Sequence, residues 1–423
     1  MAFRLTMFQA MAEAVPTTTT LPATSDIDLP LGEWLLQVGG RAGSTLALVG
    51  LLADRLLAEG FPLFRLTLAV RTLHPQLFGS IYVWRRGQGY VGEFAPLSGI
   101  EGSEVFRVSP LWPIMYEGAA AIRRRLDLDG AVLDYPILAD LKAEGASDYL
   151  AVPIVFSGGE RNFATFVADR PGGFTTRELS RIDEVLPILA LLIEAQVRQQ
   201  VTRQLLATYL GNGPAAQVLG GRVRRGDAEA TEAVIWLTDL RGFTAMTDRQ
   251  PAAEVMAALN AYLERMTFAV QHWRGDVLKF TGDGLLAIFR PEAGPGGRDM
   301  AQTAHDALAA ARDAAARMAE LNTQRRAAGQ SLLGFGIALH LGQVMFGNIG
   351  APARLDYTVI GPAVNLASRI EGLTKAVGRP ILASAAFAAA CPRLPLASLG
   401  FHALRGLAEP VELFAPDTEP KAA

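Results

Sequence analysis

The sequence predicts an α/β (α+β) protein in which an N-terminal α/β domain precedes a C-terminal domain of βαββαβ order. The chain has 423 residues, which is enough for two or three domains. Strand-like and helix-like stretches alternate from about residue 233 to residue 414. The first kind has apolar residues at alternate positions, and the second has them at helical spacing. This order predicts a ferredoxin-like fold with helices on one face of a mainly antiparallel sheet.

Composition and charge restrict the class of protein. Half of the residues are apolar and 19% are charged, so a large hydrophobic core can form. A net charge of −3 gives no excess of positive charge that would attract nucleic acid. The single cysteine, Cys391, excludes an internal disulfide. No stretch reaches the roughly 18–20 apolar residues that span a bilayer. We therefore expect a cytoplasmic protein with no transmembrane segment and no nucleic-acid partner.

Changes in composition divide the chain into five parts. Residues 16–25 are rich in Thr and Pro, which is typical of a loose leader, and glycines around Pro214 indicate an exposed joint before the C-terminal domain. The predicted parts are a flexible segment at 1–28, an α/β domain at 29–198, a helical linker at 199–232, the βαββαβ domain at 233–414 and a flexible tail at 415–423.

Hydrophobic spacing predicts the individual elements. In the N-terminal domain these are a helix within 45–61, strands within 77–86, 149–158 and 161–169, and a helix of about 177–209 that starts at Thr175 or Thr176 with Glu178. In the C-terminal domain they are a strand at 233–243, helices at 252–273, 297–327 and 362–378, a hairpin at 276–290 and a strand pair at 333–350.

Two aspartates lie where strands end. Asp239 follows the apolar run 234–237, and Asp283 is at the tip of the predicted hairpin between Gly282 and Gly284. Neighbouring carboxylates repel unless a cation lies between them, and Mg²⁺ typically takes one or two carboxylates together with water and phosphate oxygens. The pattern predicts a site for magnesium and a nucleoside triphosphate. Asp-Gly is also a favoured hairpin pair, so for Asp283 taken alone the turn residue is the favoured interpretation.

The helix predicted at 362–378 carries a second polar set. Asn365 and Arg369 are four residues apart and are therefore neighbours on one helix face. An amide beside a guanidinium suits a ribose and a charged phosphoryl group. Taken alone, the same pair is also explained as two exposed polar residues.

Four blocks of sequence resemble the catalytic domain of class III nucleotidyl cyclases. The blocks are VIWLTDLRGFTAMTD at 234–248, DVLKFTGDGLLAIF at 276–289, GFGIALHLGQVMFGNIG at 334–350 and LDYTVIGPAVNLASRIEGLTK at 355–375. The resemblance extends to LRGLAEPVELF at 404–414 and covers under half of the chain. Four ordered blocks over this length are a far more specific signal than any single motif.

This resemblance implies roles for the candidate residues. Asp239 and Asp283 would hold two Mg²⁺ (or Mn²⁺) ions per site, with the backbone carbonyl of Leu240 as a further ligand. Asn365 would orient the ribose, and Arg369 would stabilise the pentavalent α-phosphate. The sites would lie between the catalytic domains of a homodimer, where one copy contributes the aspartates and the other contributes the remaining side chains.

The resemblance also implies that Lys279 and Thr358 read the base. Adenine offers a ring-nitrogen acceptor and an amino donor, which an ammonium and a hydroxyl complement. Guanine would leave Lys279 facing a donor, at a cost of about 1–3 kcal/mol per buried unpaired group. Guanylyl cyclases of this family usually have a Glu and a Cys-type residue at these positions. The expected function is therefore adenylate cyclase, with a guanylate cyclase or a catalytically weak nucleotide-binding dimerisation module as the alternatives.

One position departs from the family pattern. The family commonly has a lysine that binds the terminal phosphates, and this chain has Arg405 there. Arginine keeps the charge but presents it as a planar fork rather than a compact ammonium. Arg354 is a second candidate contact for the phosphates.

Residues 149–197 resemble the closing strands and last helix of a GAF-type sensor domain. The resemblance implies that the domain at 29–198 is GAF-like and that a small-molecule ligand or a protein partner binds it. Its final helix would then carry a signal to the paired cyclase domains.

Overall fold

The structure, a computed structural model, describes residues 29–71, 79–94, 102–392 and 395–417. The chain divides into two compact units, the first ending at Leu205 and the second starting at Leu206. The segment 1–28 and the end of the tail at 418–423, both predicted to be flexible, lie outside the described residues.

The first unit is built on one antiparallel sheet. Its strands are β1 Leu63–Arg71, β2 Gly79–Arg85, β3 Gly89–Phe94, β4 Ile122–Arg125, β5 Asp148–Val155 and β6 Arg161–Ala168, in the order β3-β2-β1-β6-β5-β4. Its helices are α1 Leu31–Gln37, α2 Thr45–Ala58, α3 Glu104–Arg107, α4 Leu111–Tyr116, α5 Pro136–Ala143 and α6 Thr176–Leu210. The strands predicted from spacing correspond to β2, β5 and β6, and the two predicted helices to α2 and α6.

Apolar side chains cover both faces of this sheet. On one face, Leu66 and Phe166 share a buried cluster with Leu52 of α2 and Ile193 of α6. On the other face, helices α4 and α5 pack in a separate cluster that includes Phe163. The unit is therefore a three-layer α/β fold, and its α/β class is as predicted.

Helix α6 begins with the predicted capping box. The hydroxyl of Thr175 accepts from the N–H of Glu178 at 3.3 Å, and the carboxylate of Glu178 accepts from the N–H of Thr175 at 2.7 Å. Buried Leu189 and Ile193 recur at helical spacing and hold the helix to the first unit. Neither this 35-residue helix nor any other described helix is both long and apolar enough to cross a bilayer.

The second unit contains one eight-stranded sheet. Its strands are β7 Ala228–Arg241, β8 Asp276–Thr281, β9 Gly284–Phe289, β10 Gly334–Ala351, β11 Arg354–Ile360, β12 Ile381–Ser384, β13 Leu396–His402 and β14 Val411–Pro416. Its helices are α7 Asn212–Leu219, α8 Phe243–Arg249, α9 Ala252–His272, α10 Met300–Ala327, α11 Pro362–Val377 and α12 Ala385–Ala390. The strand order is β13-β14-β12-β10-β7-β9-β8, and β11 pairs with β10. The elements β7, α9, β8, β9, α10 and β10 follow the predicted βαββαβ order.

Helices lie on both faces of this sheet, so the prediction of helices on one face is wrong. Trp236 of β7 shares a buried cluster with Tyr262 of α9 and Met318 of α10. Its neighbour Ile235 points to the opposite face and clusters with Ala367 of α11. Because successive side chains of a strand point to opposite faces, the unbroken apolar run of β7 is explained by burial on both sides.

Three further features differ from prediction: the strands at 333–350, the exposure of the joint and the start of the tail. Residues 333–350 do not form a strand pair, since nearly all of them belong to the single long strand β10. The joint before the domain is not wholly exposed, because α7 buries Pro214 and Ala215. Strand β14 extends to Pro416, so the first residues of the predicted flexible tail are part of the sheet.

Candidate active site

Two carboxylates meet at one end of the central strands. Asp239, near the end of β7, stands opposite Gly284, the first residue of β9, and the turn between β8 and β9 carries Asp283. The backbone N–H of Leu240 donates to the carbonyl of Asp283 at 3.3 Å, which ties the turn to β7. The three residues predicted as metal ligands are thus brought together.

Two glycines shape this turn. Gly282 has a φ of +68°, a left-handed conformation that glycine adopts without strain. A Cβ at Gly284 would lie 2.5 Å from the carbonyl oxygen of Thr238 and 3.0 Å from Oδ1 of Asp239, so only glycine allows this close approach of β9 to β7. The glycines on either side of Asp283 therefore set the distance between the two carboxylates.

Neither Asp239 nor Asp283 forms an ion pair with a basic side chain in the part of the chain that the structure describes. Burial, and after it the nearby charge of Asp283, raises the pKa of Asp239 to about 6, and no basic side chain opposes this shift. A divalent cation would relieve the repulsion, and Mg²⁺ needs only one or two carboxylates when water and phosphate oxygens supply the rest. Within the described ranges no three His, Cys, Asp or Glu side chains form a complete metal cage. The donor set therefore fits a cation shared with a nucleotide.

We expect Asp239→Asn to stabilise the metal-free protein at pH 8. The pKa of Asp239 is raised above its usual 3.8 to about 6, so its ionised form costs stability increasingly as the pH rises through this window. After allowance for solvent screening we expect a gain of about 1 kcal/mol, or a Tm increase of about 2–4 °C. Thermal unfolding in EDTA checks this. The gain should shrink at pH 5, where the folded wild type is mostly protonated, and a lower Tm at pH 8 would contradict the prediction.

The residues predicted to read the base lie on strands that contact each other. Lys279 is exposed in β8, directly after a bulge that begins at Val277, and Thr358 lies in β11. Thr358 is 4% exposed, and its buried hydroxyl has no hydrogen-bond partner among the described residues. Because an unsatisfied buried hydroxyl costs free energy, a ligand that bonds to Thr358 would be favoured.

The Asn–Arg pair lies on α11 as predicted. Asn365 is exposed, and Arg369, one turn further on, is half-buried against the loop between β13 and β14. A Cβ at Gly406, where φ is +78°, would be 3.4 Å from Nη2 of Arg369, so the glycine packs on the guanidinium. The same loop carries the exposed Arg405, whereas Arg354 is exposed at the start of β11.

The predicted site residues of one chain lie on different elements of the second unit. In the described part of the structure, no basic side chain, including Lys279 and Arg369, is among the charges that shift the pKa of Asp239. The aspartates lie at one end of the paired strands β7 and β9, while Asn365 and Arg369 are on α11. A site shared between two copies requires this separation.

The structure adds an acidic residue that the sequence patterns do not reveal. Glu371 lies on α11, and burial, followed by the charge of Asp239, raises its pKa to about 7, whereas Arg241 opposes the shift. Glu371 and Asp239 are far apart in the chain, so only the packing of α11 on the sheet brings them together. The one feature of the sequence that could have pointed to Glu371 is its position two residues after the candidate residue Arg369.

The second unit is similar to known cyclases. Residues 227–387 match the family of adenylate and guanylate cyclase catalytic domains. Over 157 residues the chain is 37% identical to an adenylate cyclase of Anabaena cylindrica, a match that covers 37% of this chain and 30% of that protein. It is 35% identical over 221 residues to an uncharacterised protein of Mycobacterium tuberculosis, covering 52% of this chain and 37% of that protein. The chain therefore spans less than half the length of these relatives.

Solved structures include similar chains. The adenylyl cyclase CyaB from P. aeruginosa is 27% identical with a TM-score of 0.41, and the match covers 46% of this chain and 99% of that one. The guanylyl cyclase Cya2 is 30% identical with a TM-score of 0.40, covering 46% of this chain and 96% of that one.

The strand order and the paired carboxylates define an α/β domain with an acidic site at the end of its central strands. The family match makes this description more specific. Residues 227–387 are an adenylate and guanylate cyclase catalytic domain.

Proposed function

We propose that this protein is an adenylate cyclase that converts ATP to 3′,5′-cyclic AMP and pyrophosphate. The observation that carries the proposal is the half-buried pair Asp239 and Asp283, which has no positive partner and lies inside the matched domain. The choice of ATP rests on Lys279 and Thr358, because an ammonium and an unpaired hydroxyl on contacting strands complement adenine.

In this proposal each side chain has one task. Asp239, Asp283 and the Leu240 carbonyl would hold two Mg²⁺ (or Mn²⁺) ions, which would supply the charge that lowers the pKa of the ribose 3′-hydroxyl and neutralises the triphosphate. Asn365 orients the ribose through its amide. Arg369 stabilises the charge on the α-phosphate while the 3′-oxygen attacks it in line. The 3′-hydroxyl proton leaves to solvent, the bond to the bridging oxygen breaks and pyrophosphate departs.

Two arginines are proposed to bind the leaving pyrophosphate. Arg405 lies beside Gly406, which packs on Arg369, so its loop is next to the proposed α-phosphate contact. Arg354 is an exposed guanidinium at the start of β11, the strand that carries Thr358. Bidentate hydrogen bonds from a guanidinium suit phosphate oxygens.

A second copy of the chain is proposed to complete each site. Apolar side chains next to the base-reading residues are exposed: Phe280 beside Lys279 by 54%, and Ile360 near Thr358 by 50%. Side chains of this size gain free energy when a partner covers them. Their position at the proposed nucleotide groups supports a homodimer with the sites at its interface.

The test of the proposed function is a product assay on the purified full chain. ATP or GTP is supplied with Mg²⁺ or Mn²⁺, and cyclic nucleotide is measured by chromatography. We expect cyclic AMP from ATP and little product from GTP. Product mainly from GTP would identify a guanylate cyclase, and binding without any product would identify a nucleotide-binding dimerisation module.

The first unit is proposed to be a GAF-like sensor that regulates the cyclase. Its six-stranded sheet with helices on both faces supports a ligand-binding α/β fold. A cavity of about 50 Å³ lies at one face of this sheet, and Val70, Ile81, Phe106, Leu111 and Phe163 are among its lining residues. A small apolar ligand or a protein partner is the proposed signal, and α6 is proposed to carry it towards the catalytic pair.

Deletion of residues 1–200 should change both activity and assembly. If helix α6 aligns the two catalytic domains, its removal should weaken dimerisation and make the specific activity depend more strongly on protein concentration. Sedimentation and activity measured over a range of concentrations check this. Identical dimerisation and identical specific activity in the shortened and full chains would contradict a regulatory role.

A further inference from the structure

Helix α11 carries polar side chains on two different faces. Glu371 lies two residues beyond Arg369, which is about 200° around the helix, and Thr374 follows three residues later on the same face as Glu371. Thr374 is 1% exposed, and its hydroxyl donates to the backbone carbonyl of Glu371 at 2.6 Å. This second face therefore packs against the sheet, whereas Arg369 packs against the loop between β13 and β14.

The face of α11 that carries Glu371 and Thr374 packs against Gly336 in β10. Gly336 is directly opposite Asp239 in the antiparallel ladder between β10 and β7. A Cβ at Gly336 would lie 2.2 Å from Oγ1 of Thr374 and 2.4 Å from Oε1 of Glu371, so no larger residue fits. The absent side chain at Gly336 is what lets the Glu371 carboxylate reach the sheet beside Asp239.

The opposite face of the sheet holds Gly336 in place. The hydroxyl of Thr238 donates to the carbonyl of Gly336 at 2.6 Å and lies 2.7 Å from the hydroxyl of Tyr262. Since the single proton of Thr238 is used by this bond, Tyr262 donates to Thr238. Both side chains are fully buried. These hydrogen bonds fix the backbone of Gly336 from the opposite face of the sheet. The strand therefore does not move to compensate when the Glu371 side chain changes.

The charges that face Glu371 come from strand β7 and from the turn between β8 and β9. Asp239 and Asp283 lie on β7 and the β8–β9 turn, and both disfavour its ionised form, whereas Arg241 of β7 favours it. Nε of Arg241 is buried with no hydrogen-bond partner among the residues that the structure describes, so this guanidinium keeps an unused donor while its charge acts on Glu371. Glu371 therefore belongs to the electrostatic surroundings of the aspartate pair of its own chain.

We propose that Glu371 is a positioning residue for the metal-binding aspartates of its own chain. Seated at Gly336, its carboxylate fixes the place of Asp239 relative to Asp283 and so sets the affinity for the divalent cation. The proposal rests on the proposed function, because it takes the two aspartates as cation ligands. The proposal assigns the cation to Asp239 and Asp283 and gives Glu371 only the task of positioning them.

The experiment measures cation binding rather than turnover. The full chain is mixed with 3′-deoxy-ATP, which has no 3′-hydroxyl to cyclise, and is titrated with Mn²⁺ at pH 8 while free Mn²⁺ is followed by electron paramagnetic resonance. Glu371→Gln removes the charge at the same size, and Glu371→Asp keeps the charge but shortens the reach to Gly336. Glu320→Gln, an exposed position on α10, is the matched control.

We expect both Glu371 variants to weaken Mn²⁺ binding by about 10-fold, while neither variant lowers the metal-free Tm and the Glu320→Gln affinity stays at the wild-type value. Wild-type affinity in either Glu371 variant, an equal loss in the control, or failure of Glu371→Gln to fold would overturn the proposal. Two other results concern the proposed function instead: undiminished Mn²⁺ binding by Asp283→Ala, and Mn²⁺ binding by a wild type that forms no cyclic product.

A second arm locates the effect within the dimer. When Asp283→Ala and Arg369→Ala chains are mixed, the one complete site of each heterodimer uses the aspartates of the Arg369→Ala chain. Glu371→Gln added to that chain should raise the Mg²⁺ concentration needed for half-maximal activity. The same change in the Asp283→Ala chain should leave this concentration unaltered. An equal shift in both placements would contradict action on the aspartates of the same chain.

Discussion

Asp283→Ala and Arg369→Ala should each lower kcat by at least about 100-fold with ATP and Mg²⁺. Asp283 is half of a carboxylate pair without a positive partner, so its loss removes a cation ligand. Arg369 is assigned to the charge that develops on the α-phosphate, and removal of such a group typically costs two to three orders of magnitude. Initial rates of cyclic AMP formation, together with unchanged thermal unfolding of Arg369→Ala, check this result.

Mixing the two inactive variants should restore activity. In a heterodimer one site has both defects and the other has none, because aspartates and arginine come from different copies. Random pairing makes about half of the dimers mixed, each with one of two sites intact, so activity should approach about a quarter of wild type. Each variant alone, at the same total concentration, is the control. No rescue in a sample shown to contain heterodimers would contradict a shared site.

Replacing both base-reading residues should change which nucleotide is used. Lys279→Glu combined with Thr358→Cys should lower kcat/KM for ATP by about 100-fold and raise it for GTP. Each mismatched buried group costs about 1–3 kcal/mol, and two such groups account for a loss of this size. The measurement is kcat/KM for both nucleotides under the same metal concentration.

The matched control for this exchange is Lys375→Glu. Lys375 is exposed in the last turn of α11, so its substitution makes the same charge change away from the base. It should leave the preference for ATP unchanged. If the double variant retains wild-type kcat/KM for ATP, the assignment of Lys279 and Thr358 is wrong, although cyclase activity itself would remain possible through other base contacts.

The order of elements could be predicted because it depends on local patterns. The capping box at Thr175 and Glu178 acts within a few residues and occurs as predicted. Which helix covers the second face of the sheet could not be predicted in this way. The unbroken apolar run 234–237 indicates a strand buried on both faces, but only the tertiary packing shows that α11 covers the second one.

The candidate site shows the same division. Alternation and turn chemistry in the sequence were enough to put Asp239 at a strand end and Asp283 between two glycines, because these features are local. The tertiary structure decided that Gly284 lets the two carboxylates approach, that the Thr358 hydroxyl is buried without a partner and that Glu371 sits at Gly336. These last relations depend on the register of strands distant in the chain and on which helix packs over them, and neither is encoded in any short stretch of residues.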